Sequence, residues 1–292
     1  MKRLLLSLLL LVTCTFSRAQ AYVSTAEDVA LGELILSELS GNRTATAGER
    51  MVLAAKCLLG QRYVAATQEG REEKLRIYLT RTDCILFAET CLGLARTSGE
   101  GPDGATFEAL AAAIGRTRYS AERIREGFRP YATRVHYVTE WISRGEAEGY
   151  FRDITQELGG VPDTRRIDYM SAHPDSYAPL TGESRYAKDN LADIVRMEEA
   201  VNRIPRQYVP KEEIAAVEDR IRDGDILCFA TSVDGLDYTH VGIAYREKPG
   251  APLTFIHASS AAGKVIVEPR SLADYLQGRR SAVGVTVLRV ND

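Results

Sequence analysis

The sequence predicts an α+β domain in which helices come first and an antiparallel sheet follows. Three observations predict it. Before residue 60, two apolar-periodic runs each open with a helix-capping pattern. After Gly224, five short runs rich in β-branched and aromatic residues are separated by Gly and Pro turns. Between these parts the periodicity is mostly helical, and helices segregated from a run of strands are the α+β signature.

In chain order, Ser24-Thr25-Ala26-Glu27 opens a helix over 24–39 that Gly41 closes, and Thr46-Ala47-Gly48-Glu49 opens a second running to about residue 59. Gly60-Gln61-Arg62-Tyr63-Val64 breaks the pattern, and residues 74–79 alternate like a short strand. From 98 to 222 the expectation is a helical insertion, with helices over 106–114, 139–150, 185–204 and 211–222 and one strand over 131–138. Strands are then expected over 225–231, 238–245, 253–258, 264–268 and 282–290. A short helix is expected over 271–276. With Asp234-Gly235 and Pro249-Gly250 as turns, an antiparallel meander is the economical arrangement.

Residues 1–21 predict an export signal: Lys2 and Arg3, an apolar run over 4–16, and the small-x-small site Ala19-Gln20-Ala21. That apolar run falls short of the roughly 20 residues that span a bilayer, so an exported, periplasmic chain is expected. Leu11-Val12-Thr13-Cys14 loosely resembles a bacterial lipobox, and lipidation at Cys14 is the one route considered to a membrane tether. Residues 22–292 are read as a single catalytic domain carrying the insertion. The composition is ordinary, 45% apolar and 26% charged with a formal net charge of −3, and no basic run points to nucleic acid. Cys57, Cys84, Cys91 and Cys228 fit no zinc spacing. Cys84 and Cys91 would lie roughly 10 Å apart along one helix, too far to bridge.

The stretch Thr82-Asp83-Cys84-Ile85-Leu86-Phe87-Ala88-Glu89-Thr90 predicts a helix that begins at its cysteine. There the unsatisfied N–H groups and the positive end of the helix dipole favour thiolate over thiol, so a lowered pKa is expected. A lone cysteine is as readily a buried hydrophobe, so the chemistry depends on partners. Two of the four histidines supply them: His240 in Thr239-His240-Val241-Gly242-Ile243 and His257 in Phe255-Ile256-His257-Ala258-Ser259. On neighbouring strands both imidazoles can share one side of the sheet, with the Cys84 helix packed across that side. One would then act as base and the other as its orienting group.

Asp83-Cys84, Gly224-Asp225-Ile226-Leu227, His240-Val241-Gly242-Ile243 and Ile256-His257-Ala258-Ser259 are similar, in order and form, to the motifs of NlpC/P60 cysteine peptidases. Gly60-Gln61-Arg62-Tyr63-Val64, His136-Tyr137-Val138-Thr139-Glu140-Trp141-Ile142, Gly235-Leu236-Asp237 and Gly263-Lys264-Val265 resemble more particularly the DUF1460, N-acetylmuramoyl-L-alanine amidase-like branch. The resemblance implies a papain-like NlpC/P60 fold in which Cys84 is the nucleophile, His240 its base and His257 the orienting residue. It also implies that Tyr63 sits near the nucleophile and, with the Cys84 N–H, receives the oxyanion. His136, Tyr137, Trp141 and the Asp168-Tyr169-Met170 segment are expected to wall the substrate site. Asp83 is read as the cap of the Cys84 helix.

The reaction implied is hydrolysis, through a thioester, of the amide joining N-acetylmuramic acid to L-alanine in peptidoglycan fragments, with no cofactor and no metal. Four alternatives stand beside it: a D-glutamyl-diamino acid endopeptidase, a non-catalytic muropeptide receptor, acyl transfer to another acceptor, and a zinc amidase. The last is disfavoured because the chain lacks a His-Glu-x-x-His pattern.

Overall fold

The computed structural model describes residues 22–292 except 43, 71 and 183, so the export-signal reading and Cys14 lie outside the described residues. Helices α1 (Ala26–Gly41) and α2 (Ala47–Cys57) open with reciprocal capping boxes, Thr25 with Asp28 and Thr46 with Glu49. Strands β1 (Arg62–Tyr63) and β2 (Arg81–Thr82) lead into α3 (Cys84–Gly99). Then come α4 (Phe107–Arg118), α5 (Ala121–Arg125), α6 (Pro130–Thr133), α7 (Val138–Ala147), β3 (Phe151–Asp153), β4 (Val161–Pro162), α8 (Tyr169–Ala172), α9 (Ala187–Val201), β5 (Gln207–Pro210) and α10 (Ile214–Val217). The last part holds β6 (Ile226–Thr231), β7 (Tyr238–Tyr245), β8 (Thr254–Ser259), β9 (Lys264–Val267), α11 (Leu272–Gln277) and β10 (Ala282–Val290).

Ten strands form one mostly antiparallel sheet in the order β2-β1-β9-β8-β7-β6-β10-β5-β4, with β3 also on β10. The expected meander holds for β6 to β9. It fails for β10, which α11 returns across the sheet to pair with β6 from Ala282↔Thr231 to Leu288↔Ile226. The 98–222 segment is not purely helical either, since β3 and β5 both add to β10 and extend the sheet.

The sheet's two faces are covered differently. On one, Phe87, Ala88, Cys91 and Leu92 of α3 pack on Cys228, Val241, Ile243 and Ile256. On the other, Leu272, Tyr275 and Leu276 of α11 pack on Leu227, Phe229, Phe255 and Val287. Each fully buried Leu, Ile, Val or Phe side chain here contributes about 1.5–3 kcal/mol, so α3 is fixed to the sheet by its whole inner face.

Three expected elements are absent as drawn. Residues 74–79 run beside Val23 through a single bridge at Arg76 and are secured by buried Asp28, which accepts the N–H groups of Leu79 and Thr80 at 2.8 Å each. Residues 131–138 are not a strand. Pro130 starts a helical turn, Val138 already belongs to α7, and the intervening chain makes one bridge, Arg134 with Tyr119, while the Arg134 side chain reaches Gln68, Glu69 and Glu73. Of the 211–222 helix only α10 and a 3₁₀ turn form, and Arg246 donates to the carbonyls of Glu218 (2.6 Å) and Ile221 (3.0 Å) at its end.

Candidate active site

Cys84 is the first residue of α3. Asp83 caps that helix through Oδ1, which accepts the Leu86 N–H at 2.9 Å, and its Oδ2 accepts the Thr67 hydroxyl at 2.8 Å. Beside it, β1 runs parallel to β2 with Tyr63 opposite Thr82, and Tyr63 N–H donates to Gly263 at 2.8 Å. This explains why the Gly60–Val64 and Gly263–Val265 motifs travel together: Gly60 N–H donates to Val265 and Val265 N–H to Gln61.

The thiol itself departs from expectation. Burial pushes it up to about 12, the Asp83 charge adds to the rise, and the N–H groups of Val241, Ile85 and Cys84 act in the opposite direction without offsetting it. Helix-end stabilisation of a thiolate is present, as predicted, but desolvation outweighs it, and the resting group is a neutral thiol. Burial and the proximity of Cys84 and Asp83 likewise raise the Tyr63 phenol, which stays a hydrogen-bond donor near the sulfur.

The two strand histidines do share a side, and that side is not the one α3 covers. Their rings stand with Phe229, Phe255 and Tyr275 on the α11 face. The ladder between their strands is broken. Strands β7 and β8 pair only from Ile243↔Ile256 to Tyr245↔Thr254 and part where His240 and His257 stand, and the Val241 N–H next to His240 acts on the Cys84 sulfur in favour of thiolate. His240 Nε2 and His257 Nδ1 are 2.6 Å apart. Burial holds both imidazoles neutral, His240 down to about 3 and His257 to about 4, despite the Glu268 carboxylate that acts on His257 in the other direction. Glu268 carries no signal in the sequence; it reaches His257 only because β9 folds back on β8.

A cavity of about 210 Å³ opens beside the start of α3, lined by Asp83 and Ile85, which flank Cys84, and by His136, Tyr137, Trp141 and Met170; Cys84, His240 and His257 are not among its lining residues. Asp168 and Tyr169 of the expected segment are not in the lining, whereas His136, Tyr137, Trp141 and Met170 meet at one place. Their individual roles differ from a simple binding surface. The Tyr137 hydroxyl donates to Glu198 at 2.7 Å and accepts the Met170 N–H at 2.9 Å, so it braces the wall. Trp141, 2% exposed, packs against Phe151 with ring centroids 5.2 Å apart. His136 donates from Nε2 to the Tyr131 carbonyl at 2.8 Å, and burial holds it neutral, so its Nδ1 is a pure acceptor.

The wall is fastened to the strand that carries His240. Asp237, immediately before β7, accepts the Thr139 N–H in the first turn of α7, and the Gly235 carbonyl accepts the N–H groups of Asp168 and Tyr169. Gly235 has φ +75, and a Cβ there would meet Asp168 Oδ1 at 2.7 Å. Charged residues that no motif announced also line the cavity: Glu69 and Arg134, which bond each other, and Glu89, which pairs with buried Arg118.

The AmiA-like family model, described as N-acetylmuramoyl-L-alanine amidase-like, matches residues 53–285. A comparison with curated proteins gives no match. Among solved structures, the chain is similar to an N-acetylmuramoyl-L-alanine amidase from Bacteroides uniformis at 30% identity, over 85% of this chain and 100% of that one, with a TM-score of 0.74. It is also similar to a Bacteroides fragilis protein carrying the name of a xylanase, at 29% identity over 81% and 99% of the two chains, with a TM-score of 0.70. A Legionella pneumophila protein of family model DUF1460, 18% identical over 90% and 95% with a TM-score of 0.64, agrees in fold. With four-fifths of its length under that family model and its α+β architecture matched by an amidase structure, the chain belongs to the AmiA-like, N-acetylmuramoyl-L-alanine amidase-like family.

Proposed function

We propose that the protein is a cysteine amidase that hydrolyses the bond between the lactyl group of N-acetylmuramic acid and L-alanine in peptidoglycan fragments, within a papain-like NlpC/P60 fold. What supports this reading, in a member of an amidase-like family, is the coupled pair His240 and His257 together with Cys84 at a helix start, on whose sulfur the Val241 N–H beside His240 acts. Residues 1–21 serve as the export signal in this reading. The mature chain acts in the periplasm as one catalytic domain, with residues 98–222 as its specificity insertion.

Because thiol and imidazole are both neutral at rest, attack and proton transfer proceed together. The Cys84 sulfur adds to the amide carbonyl while His240 Nδ1, the ring nitrogen not engaged with His257, takes the thiol proton. The oxyanion is met by the Cys84 N–H and the Tyr63 hydroxyl. The imidazolium then gives its proton to the departing alanine nitrogen, leaving a muramoyl thioester. Water, deprotonated by His240, hydrolyses that ester and returns the thiol.

The insertion selects the bond. His136, Tyr137, Trp141 and Met170 line a cavity with Asp83 and Ile85, which flank Cys84, and a cavity of that size favours short muropeptides over polymer. The test is kinetic: muramyl-L-alanyl peptides should be cleaved at least about tenfold faster, in kcat/KM, than the same peptides lacking the sugar. Equal rates, or cleavage after D-glutamate, would move the protein to the endopeptidases.

A further inference from the structure

The hairpin of β8 and β9 places a carboxylate behind the second histidine. His257 lies opposite Ile266 in that ladder, and the Glu268 N–H donates to the Phe255 carbonyl at 2.9 Å, which turns the Glu268 side chain inward under the imidazole. Both residues are buried, at 2% and 4% exposure. Glu268 Oε2 lies 3.5 Å from His257 Nε2, a ring nitrogen that makes no hydrogen bond among the described residues. The other oxygen, Oε1, accepts from Arg270 through Nε at 2.6 Å and through the backbone N–H at 3.3 Å. The carboxyl is thereby kept ionised below its ordinary range.

A carboxylate facing a buried ring nitrogen decides which tautomer the ring adopts. With Nε2 protonated, His257 offers Glu268 an N–H; with Nε2 bare, a lone pair would face the anion. The choice propagates. If His257 carries its proton on Nε2, its Nδ1 can only accept, so the 2.6 Å contact is an N–H donated by His240 Nε2, and the lone pair of His240 is left on Nδ1. That is the nitrogen required to take the thiol proton. The reverse tautomer would put the His240 lone pair toward His257 and leave no base for Cys84.

We propose that Glu268 is a positioning residue of the proposed amidase, fixing His257 as the Nε2–H tautomer and through it the basic nitrogen of His240. The proposal rests on the reading of Cys84 and His240 as nucleophile and base. No proton passes to Glu268: the thiol proton stops on His240, and the carboxylate acts by charge and orientation. The other groups facing this chain are Tyr275 on α11, whose ring stands edge-on to His257, and the guanidinium groups of Arg270 and Arg279, each 4.8 Å from the Tyr275 ring centroid. Arg279 opposes protonation of both histidines, and without Glu268 nothing beside His257 would balance it.

The test reads the tautomer directly, from the imidazole ¹⁵N shifts of the full chain labelled at histidine, with the His257 signals assigned by their loss in His257→Gln. The unsubstituted protein should show His257 protonated on Nε2 and bare on Nδ1 near neutral pH. In Glu268→Gln, whose amide can donate to Nε2, the population should shift toward Nδ1–H. The same variant should lose about 10- to 100-fold in kcat on a muramyl peptide with KM within about twofold, and Glu268→Asp should recover part of it. A His257 protonated on Nδ1 in the unsubstituted protein overturns the proposal even if no variant folds, and so does a Glu268→Gln variant with unchanged tautomer and rate. A purely structural Glu268 would lower the thermal midpoint and leave the tautomer of the folded fraction unmoved. If no muropeptide is cleaved at all, the amidase reading falls while the spectra still decide the tautomer.

Discussion

Asp83 exerts two opposed influences on Cys84. As cap it supplies the oxygen that satisfies the Leu86 N–H and so defines where α3 starts; as a charge it holds the thiol protonated. Asparagine caps nearly as well as aspartate and carries no charge. Asp83→Asn should therefore leave stability within about 0.5 kcal/mol, while alkylation of Cys84 by iodoacetamide near pH 8 accelerates several-fold; an unchanged alkylation rate would show that burial alone sets the thiol. At this scale the sequence could single out Cys84, His240 and His257 as candidates, because few residue types do such chemistry and their local motifs are particular, and the pairing of the two histidines is what the structure adds. The protonation state was not legible. It depends on desolvation, which no spacing encodes. Glu268 was equally invisible, since a lone glutamate becomes meaningful only through the register that sets β9 against β8.

Elements were legible where one periodicity ran unopposed. The capping boxes placed α1 and α2, and alternation placed β6 to β9 within a residue or two. Reading failed where regular pairing or periodicity is cut short: over 131–138 the pairing is a single bridge of Arg134 with Tyr119, buttressed by the Arg134 side chain, and in 211–222 the helix gives way to a 3₁₀ turn beside Arg246. The histidines were placed on a shared side from alternation alone. That α3 would occupy the opposite face could not be read, because it follows from the packing of Phe87, Ala88 and Cys91 on Cys228, Val241, Ile243 and Ile256, a long-range match that no local pattern announces. Gly224 illustrates a motif residue whose reason is packing. It has φ +86, and a Cβ would sit 2.2 Å from the Gly48 carbonyl oxygen on α2. Next to it, Asp225 accepts the fork of Arg289 at 3.1 and 2.8 Å, tying the start of β6 to β10. Gly224→Ala should cost about 2 kcal/mol or more, seen as a thermal midpoint lowered by about 5 °C; an unshifted midpoint would mean that α2 moves aside freely.

At the scale of the whole molecule, the insertion and the sheet form one device. Residues 98–222 supply both the wall of the cavity and two strands on β10, and Gly235 and Asp237 fasten that wall to the strand carrying His240. In the proposed amidase, substrate selection and catalysis would share this frame, since the wall residues line one cavity with Asp83 and Ile85, which flank Cys84, although the chain between them is long. The family, the fold class and the opening and closing elements were available from the sequence; the strands hidden in the insertion and the way it docks were not. The most direct test of this account is mass spectrometry of defined muropeptides incubated with the protein and with Cys84→Ala. The account predicts a stem peptide beginning at L-alanine, released with a free muramic carboxylate and absent with Cys84→Ala. The same products from both proteins, or products from neither, would contradict it.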